Sequence, residues 1–195
     1  MGAFTDQPLP PSDNPRIIDY ATKYRSDFMD VYLGASCRFF LGSSSGLNMV
    51  PMIFDKPVAL ANNFQPTNPI FHTYDLFTLR PIRRQSDNSL ISFKEAVDPQ
   101  NYAGMFGSVE SDVVNKYVFS DDSPEDILDL TKDMIDSLEN REPSPEAREL
   151  QTRYAEEYLR GHLPDYQFTA KVSPRFALKY KHLLFPEDAP REANG

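Results

Sequence analysis

The sequence predicts an α/β fold: a parallel sheet laid down in the first half, followed by a mostly helical, acidic second half. Three observations carry that expectation. From residue 26 to residue 61 a capped helix, an apolar run, a Ser/Gly loop, a short helical pattern and a second apolar run succeed one another, the cadence of parallel α/β units. From Ser123 onward, Ser-Pro-acid openings introduce amphipathic segments. The net charge of −9 belongs wholly to the second half: residues 1–97 hold nine acidic and nine basic side chains, residues 98–195 hold twenty and eleven.

In chain order, Gln7–Pro15 contains four prolines and is excluded from helix. Arg16–Tyr20 is short and β-rich, which predicts a strand. Ser26 caps a helix whose dipole Asp27 complements, and Phe28, Val31, Tyr32 and Ala35 give it an apolar stripe expected to face the core. Cys37–Gly42 reads as a buried strand, Ser43–Gly46 as a loop, and Leu47–Phe54 as a short helix distorted by Pro51. Pro57–Ala61 reads as a second buried strand, with proline tolerable at its first position. A loop is expected from Asn62 to Pro69, an extended piece over Phe77–Ile82, and a helix start at Ser92. In the second half, Ser123-Pro124-Glu125-Asp126 opens a helix lined by Ile127, Leu130, Met134 and Leu138. Ser144–Arg160, closed by Gly161, predicts another, and Pro174–Leu184 a last one before a polar tail.

A chain of 195 residues that is 40% hydrophobic suits one domain with a substantial core, divided here into a part at 1–97 and a helical part at 98–195 packed on it. No apolar run reaches the roughly 20 residues of a spanning helix, so no transmembrane segment is expected. Met1–Asp6 has no basic region followed by an apolar block, so no signal peptide is expected either. One Cys excludes an internal disulfide and a multi-thiolate zinc site, and the three His show no ligand spacing. These features predict no metal, no cofactor and a reducing, cytoplasmic compartment. The acidic balance argues against a nucleic-acid partner.

The candidate binding residues cluster in three places. Ser43, Ser44, Ser45 and Gly46 lie between an apolar strand and a helix, where backbone N–H groups and hydroxyls suit an anion and glycine admits close approach. The same residues equally suit an ordinary capped turn, and neither a Walker loop nor a three-glycine dinucleotide pattern is present. Asn62 and Asn63 come directly after the next strand, where ligands of open α/β sheets sit. Their amides match sugar hydroxyls, although Asn also favours turns for local reasons. Arg80 and Arg84 belong to the one basic cluster of the neutral half and match a diphosphate, or else a solvated face. No spacing of carboxylates marks a catalytic pair.

Together, Ile17–Ala21, Ser26–Leu33 and Cys37–Gly46 resemble a family of bacterial glycosyltransferases of the GT-B type, associated with surface polysaccharide. The similarity continues through Phe54–Val58, Asn62, Asp75–Phe77 and Ser92–Glu95. It covers about the first hundred residues, with a weaker echo at Ser173–Phe176. The resemblance implies a Rossmann-like domain that binds a nucleotide-sugar donor by its diphosphate, without metal, for transfer of the sugar to a hydroxyl. It matches only the family's C-terminal donor-binding domain. That implies a truncated chain needing an acceptor-binding lobe, or a separate acceptor-binding chain, for turnover. No catalytic residue carries over. The alternative is a non-catalytic binding or interaction module, or a remnant that lacks the acceptor domain.

Overall fold

Four strands form a parallel sheet: β1 (Phe40–Ser43), β2 (Val58–Asn63), β3 (Leu76–Leu79) and, much later in the chain, β6 (Lys171–Val172), in the order β1-β2-β3-β6. Between β3 and β6, β4 (Ile82–Arg84) and β5 (Tyr117–Phe119) make a separate antiparallel ribbon. The helices are α1 (Tyr20–Lys23), α2 (Asp27–Ser36), α3 (Met49–Ile53), α4 (Phe93–Val97), α5 (Pro124–Leu138), α6 (Pro145–Tyr154), α7 (Pro174–Lys179) and α8 (Lys181–Leu184). This is a computed structural model, and it describes residues 7–64, 66–67, 72–98, 101, 116–159 and 169–188. The expected closure at Gly161, the polar tail after residue 188 and part of the Asn62–Pro69 loop lie outside them.

The alternation of β2 decides how the layers stack. Val58 and Leu60 face a core shared with Phe77 and Leu79 of β3, Tyr154 of α6 and Phe176 of α7. Ala59 and Ala61 face the other way, and their small side chains meet Leu130 and Met134 of α5. The larger core contains a parallel stack of Tyr154 and Tyr158 with ring centroids 4.7 Å apart. Their hydroxyls are satisfied: Tyr154 donates to the Pro66 carbonyl and Tyr158 to the Leu184 carbonyl, each at 2.5 Å.

Helix starts coincide closely with the capping residues. Ser26, Ser92, Ser144 and Ser173 each accept a backbone N–H through their side chains. Ser123 and Asp126 complete a reciprocal capping box at α5. Pro51 falls in the first turn of α3, where its missing N–H has no partner to lose. The last expected helix is interrupted at Tyr180, and α6 ends in a five-residue π-helical turn, Ala155–Leu159.

Three expectations are corrected. Arg16–Asp19 is irregular and leads into α1, because no strand among the described residues pairs with it. The strand after α2 is neither fully buried nor placed at 37–42: β1 spans 40–43 at the sheet edge and is partly exposed throughout. The apolar stripe of α2 points outward. Its buried positions are Asp30 and Gly34, and Gly34 sits so close to α3 that a Cβ would lie 2.8 Å from Val50 Cγ1. Two short strands, β5 and β6, were not expected. β6 makes the second half a contributor to the sheet as well as a cover for it.

At the amino edge of the sheet a wholly buried carboxylate ties the strands together. Asp75 Oδ1 accepts the Val58 N–H at 2.8 Å, its Oδ2 accepts the His72 N–H at 3.1 Å, and its carbonyl accepts the Lys171 N–H at 3.0 Å. Burial pushes this carboxyl above its ordinary value of 3.8, against the hydrogen bonds that pull it down. The folded chain therefore holds a proton here more readily than the unfolded chain. That contribution to stability is full below 3.8 and is lost as pH rises through the folded value. The advantage of wild type over Asp75→Asn in urea unfolding should grow as pH falls from about 7 to about 4. A constant or shrinking advantage contradicts this.

Candidate functional site

Ser43 pairs with Ala61 in the β1–β2 ladder, so the loop Ser44–Gly46 lies beside Asn62 and Asn63 at the carboxyl edge of the sheet. Ser43, Asn62 and Asn63, expected in loops, are instead the last residues of β1 and β2, because the ladders run on to Ser43↔Ala61 and Asn63↔Leu79. Arg80 comes directly after β3 at the same edge, its N–H donating to the Asn63 carbonyl at 3.1 Å. Seven of the eight residues selected from the sequence thus line one edge: Ser43, Ser44, Ser45, Gly46, Asn62, Asn63 and Arg80. Arg84 does not join them. It lies on β4, grips both carboxylate oxygens of Glu95 at 2.5 and 2.7 Å, and lines a separate surface hollow with Gln85, Ser86, Lys116 and Tyr117.

Asn62 gives this edge its shape. The β2–β3 register runs Leu60↔Phe77 and then Asn63↔Leu79, so β2 carries one extra residue there. Asn62 has φ of 57°, a left-handed conformation that Asn accepts more readily than most residues. Its N–H donates to Asp122 Oδ2 at 2.8 Å and to Thr78 Oγ1 at 3.3 Å, and its side-chain oxygen accepts the Asp122 N–H at 2.6 Å. The bulge is thereby clamped from β3 and from the entry to α5.

Asp122 is the residue that sequence reasoning missed. It is 6% exposed, accepts the Thr78 hydroxyl and the Asn62 N–H through Oδ2, and has Oδ1 buried with no hydrogen-bond partner. Burial raises its carboxyl above the ordinary range, a rise only partly offset by the Thr78 and Asn62 hydrogen bonds. No local pattern joins Asn62, Thr78 and Asp122, which are 16, 44 and 60 residues apart. The one available signal is an acid directly before a Ser-Pro helix opening. Arg80, beside it, donates to Asp121 Oδ1 at 2.9 Å and to the Phe119 and Ser120 carbonyls.

The Ser loop is solvent-exposed from Ser43 to Gly46, and a Cβ built on Gly46 meets nothing within 4 Å. The loop passes into a single 3-10 turn, Gly46–Asn48, and then into the five-residue α3, and Ser45 makes no side-chain cap. A long helix dipole is therefore absent here. The donors available to an anion are the N–H groups that open the turn and the three hydroxyls.

A cavity of about 600 Å³ lies at the opposite, amino edge, lined by Tyr74, Leu76, Lys171, Arg175 and the facing ends of α5 and α6. Its charges are largely satisfied internally: Asp133 accepts from Ser173 and Arg175, and Asp136 from Arg175 and Arg141. None of the residues selected from the sequence reaches it. Among the described residues no group of three or more His, Cys, Asp or Glu is arranged to hold a metal ion, and no helix is long and apolar enough to cross a membrane. Comparison of the chain with models of known families, with curated proteins and with solved structures gives no match.

Asp122→Ala strips the buried Asn62 N–H and Thr78 hydroxyl of their shared acceptor and should cost about 1–3 kcal/mol in urea unfolding. The neighbouring Asp121→Ala removes only a solvent-exposed ion pair and should cost less than about 1 kcal/mol. Equal effects would show that Asp122 is no clamp.

Proposed function

We propose that this chain is the Rossmann-like, donor-binding part of a GT-B type glycosyltransferase. On this reading it holds the diphosphate of a nucleotide sugar at the carboxyl edge of its parallel sheet, for transfer of the sugar to a hydroxyl acceptor. The observation that supports the reading most is the Asn62 bulge. A strained residue, clamped by two other segments, sits beside an exposed Ser/Gly loop at the edge where open α/β sheets take their ligands. The sequence resemblance to that glycosyltransferase family supports the substrate class.

In this reading the N–H groups and hydroxyls of Ser44, Ser45 and Gly46 face the diphosphate. They stabilise the negative charge that develops on it as the sugar departs. Asn62 and Asn63 donate to and accept from sugar or ribose hydroxyls. Arg80, which follows β3 and is separated from the loop by β2, supplies positive charge at the same edge, shared with Asp121. Acceptor binding and proton removal belong to a second lobe or a separate chain, so the isolated chain binds donor without turning it over.

Calorimetric titration tests this. A nucleoside diphosphate should bind more tightly than the monophosphate, with no requirement for a divalent cation. Gly46→Val meets only open space within the protein and should fold normally, yet its branched side chain intrudes where the phosphates lie. It should weaken binding more than Ser44→Ala, which loses one hydroxyl and on the order of 0.5–1.5 kcal/mol. Arg84→Glu should leave affinity unchanged. A folded wild-type chain that binds no diphosphate, or binding indifferent to Gly46→Val, contradicts the proposal.

A further inference from the structure

Asn48 is 6% exposed, and its side chain makes no hydrogen bond among the described residues. It stands directly before α3, where an Asn commonly caps the helix, yet it supplies no cap. Other buried polar groups of the chain are matched: Asp30 by Tyr20, Asp75 by Val58, Thr78 by Asp122 and Ser173 by Asp133. Withdrawing an amide from water without a partner is costly, so this one needs an explanation outside the fold's own bonding.

Its placement supplies one. From Gly46 to Ile53 the buried residues are Asn48, Pro51 and Met52, the spacing of a single helix face. That face meets the sheet, because Met52 shares a core cluster with Val58 and Leu60 of β2. The segment runs from the carboxyl end of β1 back to the amino end of β2. Asn48 therefore lies about 6 Å nearer the carboxyl edge than Met52 does. The turn that carries it, Gly46–Asn48, packs beside β1 and issues from the Ser loop. The unmatched amide is thus on the sheet-facing side of that turn, at the edge that also carries Asn62.

We infer that Asn48 reads a sugar hydroxyl of the ligand, a role that rests on the donor-binding reading above. The chemistry of the side chain selects the group. A primary amide presents a carbonyl acceptor and an NH2 donor, and here neither end is matched within the chain. A phosphate offers acceptors alone and would leave the carbonyl unmatched. A hydroxyl donates and accepts at once, and two adjacent hydroxyls satisfy both ends of the amide together. Ribose and the transferred sugar both carry such hydroxyls, whereas the Ser loop next to Asn48 supplies donors for the diphosphate. Asn48 is on this account a specificity-determining residue, which separates a sugar-bearing diphosphate from a bare one.

Amide-shift titrations of the full chain, which read weak affinities, test this. The probes are the uridine, guanosine, adenosine and cytidine diphosphates, the glucose ester of whichever binds, and inorganic pyrophosphate. Asn48→Ala should weaken the sugar-bearing probe about tenfold and leave pyrophosphate within about twofold of wild type. A loss already present with the nucleoside diphosphate assigns the ribose, and a loss seen only with the ester assigns the transferred sugar. Because the amide bonds to nothing in the fold, Asn48→Ala should lower the urea midpoint less than Asp122→Ala does. Asn48→Leu should show the same binding pattern, and Met49→Ala, exposed at the next position, should change neither binding nor stability. Sugar-bearing probes that wild type and both Asn48 variants bind alike overturn the inference and leave the donor-binding reading standing. So does a loss that extends equally to pyrophosphate, or an Asn48→Ala midpoint as low as that of Asp122→Ala. A folded wild-type chain that binds none of the probes overturns the donor-binding reading and this inference with it.

Discussion

A parallel sheet needs cover on both faces, and β2 is where that demand is met most completely. Val58, Ala59 and Leu60 are essentially inaccessible, and Ala61 nearly so. The two faces are unlike: branched side chains on one interdigitate with aromatics from α6 and α7, and alanines on the other let α5 lie close. Everything else is arranged around that strand. It is paired on both sides, its amino end is held by Asp75, and its carboxyl end is bent outward by the Asn62 bulge. The feature that stabilises the sheet and the feature that shapes the candidate site are thus two ends of the same six residues.

The acidity of the second half has a structural use beyond solvation. Asp126 and Asp133 are buried on α5, where they anchor α7. Asp126 accepts from Lys179 at 2.7 Å and from Tyr180 at 3.0 Å in addition to capping its own helix. Burial alone pushes that carboxyl up, but the Lys179, Ser123 and Tyr180 hydrogen bonds outweigh it and hold it below the ordinary value. Asp133 accepts from Ser173 at 2.5 Å and from the Arg175 N–H at 2.9 Å, yet burial prevails and its carboxyl is raised. The pairs fix how α7 crosses α5, and with it the position of β6 at the sheet edge.

Much of this was legible in the sequence, because its punctuation is local. Ser26, Ser92, Ser123, Ser144 and Ser173 each sit where a capping hydroxyl is needed, and their helices start within a residue of them. The succession of apolar runs and loops placed β1, α3 and β2 in the right order, and hence the shared edge of the Ser loop and Asn62. The parts that were not legible depend on the third dimension. An amphipathic stripe does not say whether its apolar side faces inward, and α2 turned its stripe out because Gly34 allows only its opposite face to approach α3. The strand β6 is two residues long and exists only because β3 offers an edge. Asp122 acquires its meaning from partners 44 and 60 residues away.

The central claim is that the carboxyl edge, and not the cavity at the amino edge, is where this chain meets a ligand. Backbone amide shifts of the isotope-labelled chain, tracked during titration with a nucleoside diphosphate, test it most directly. Perturbations concentrated on residues 43–47, on Asn62 and Asn63 and on Arg80 are the result expected. Perturbations centred on Tyr74, Lys171 and Arg175, or none at all in a folded chain, would contradict it.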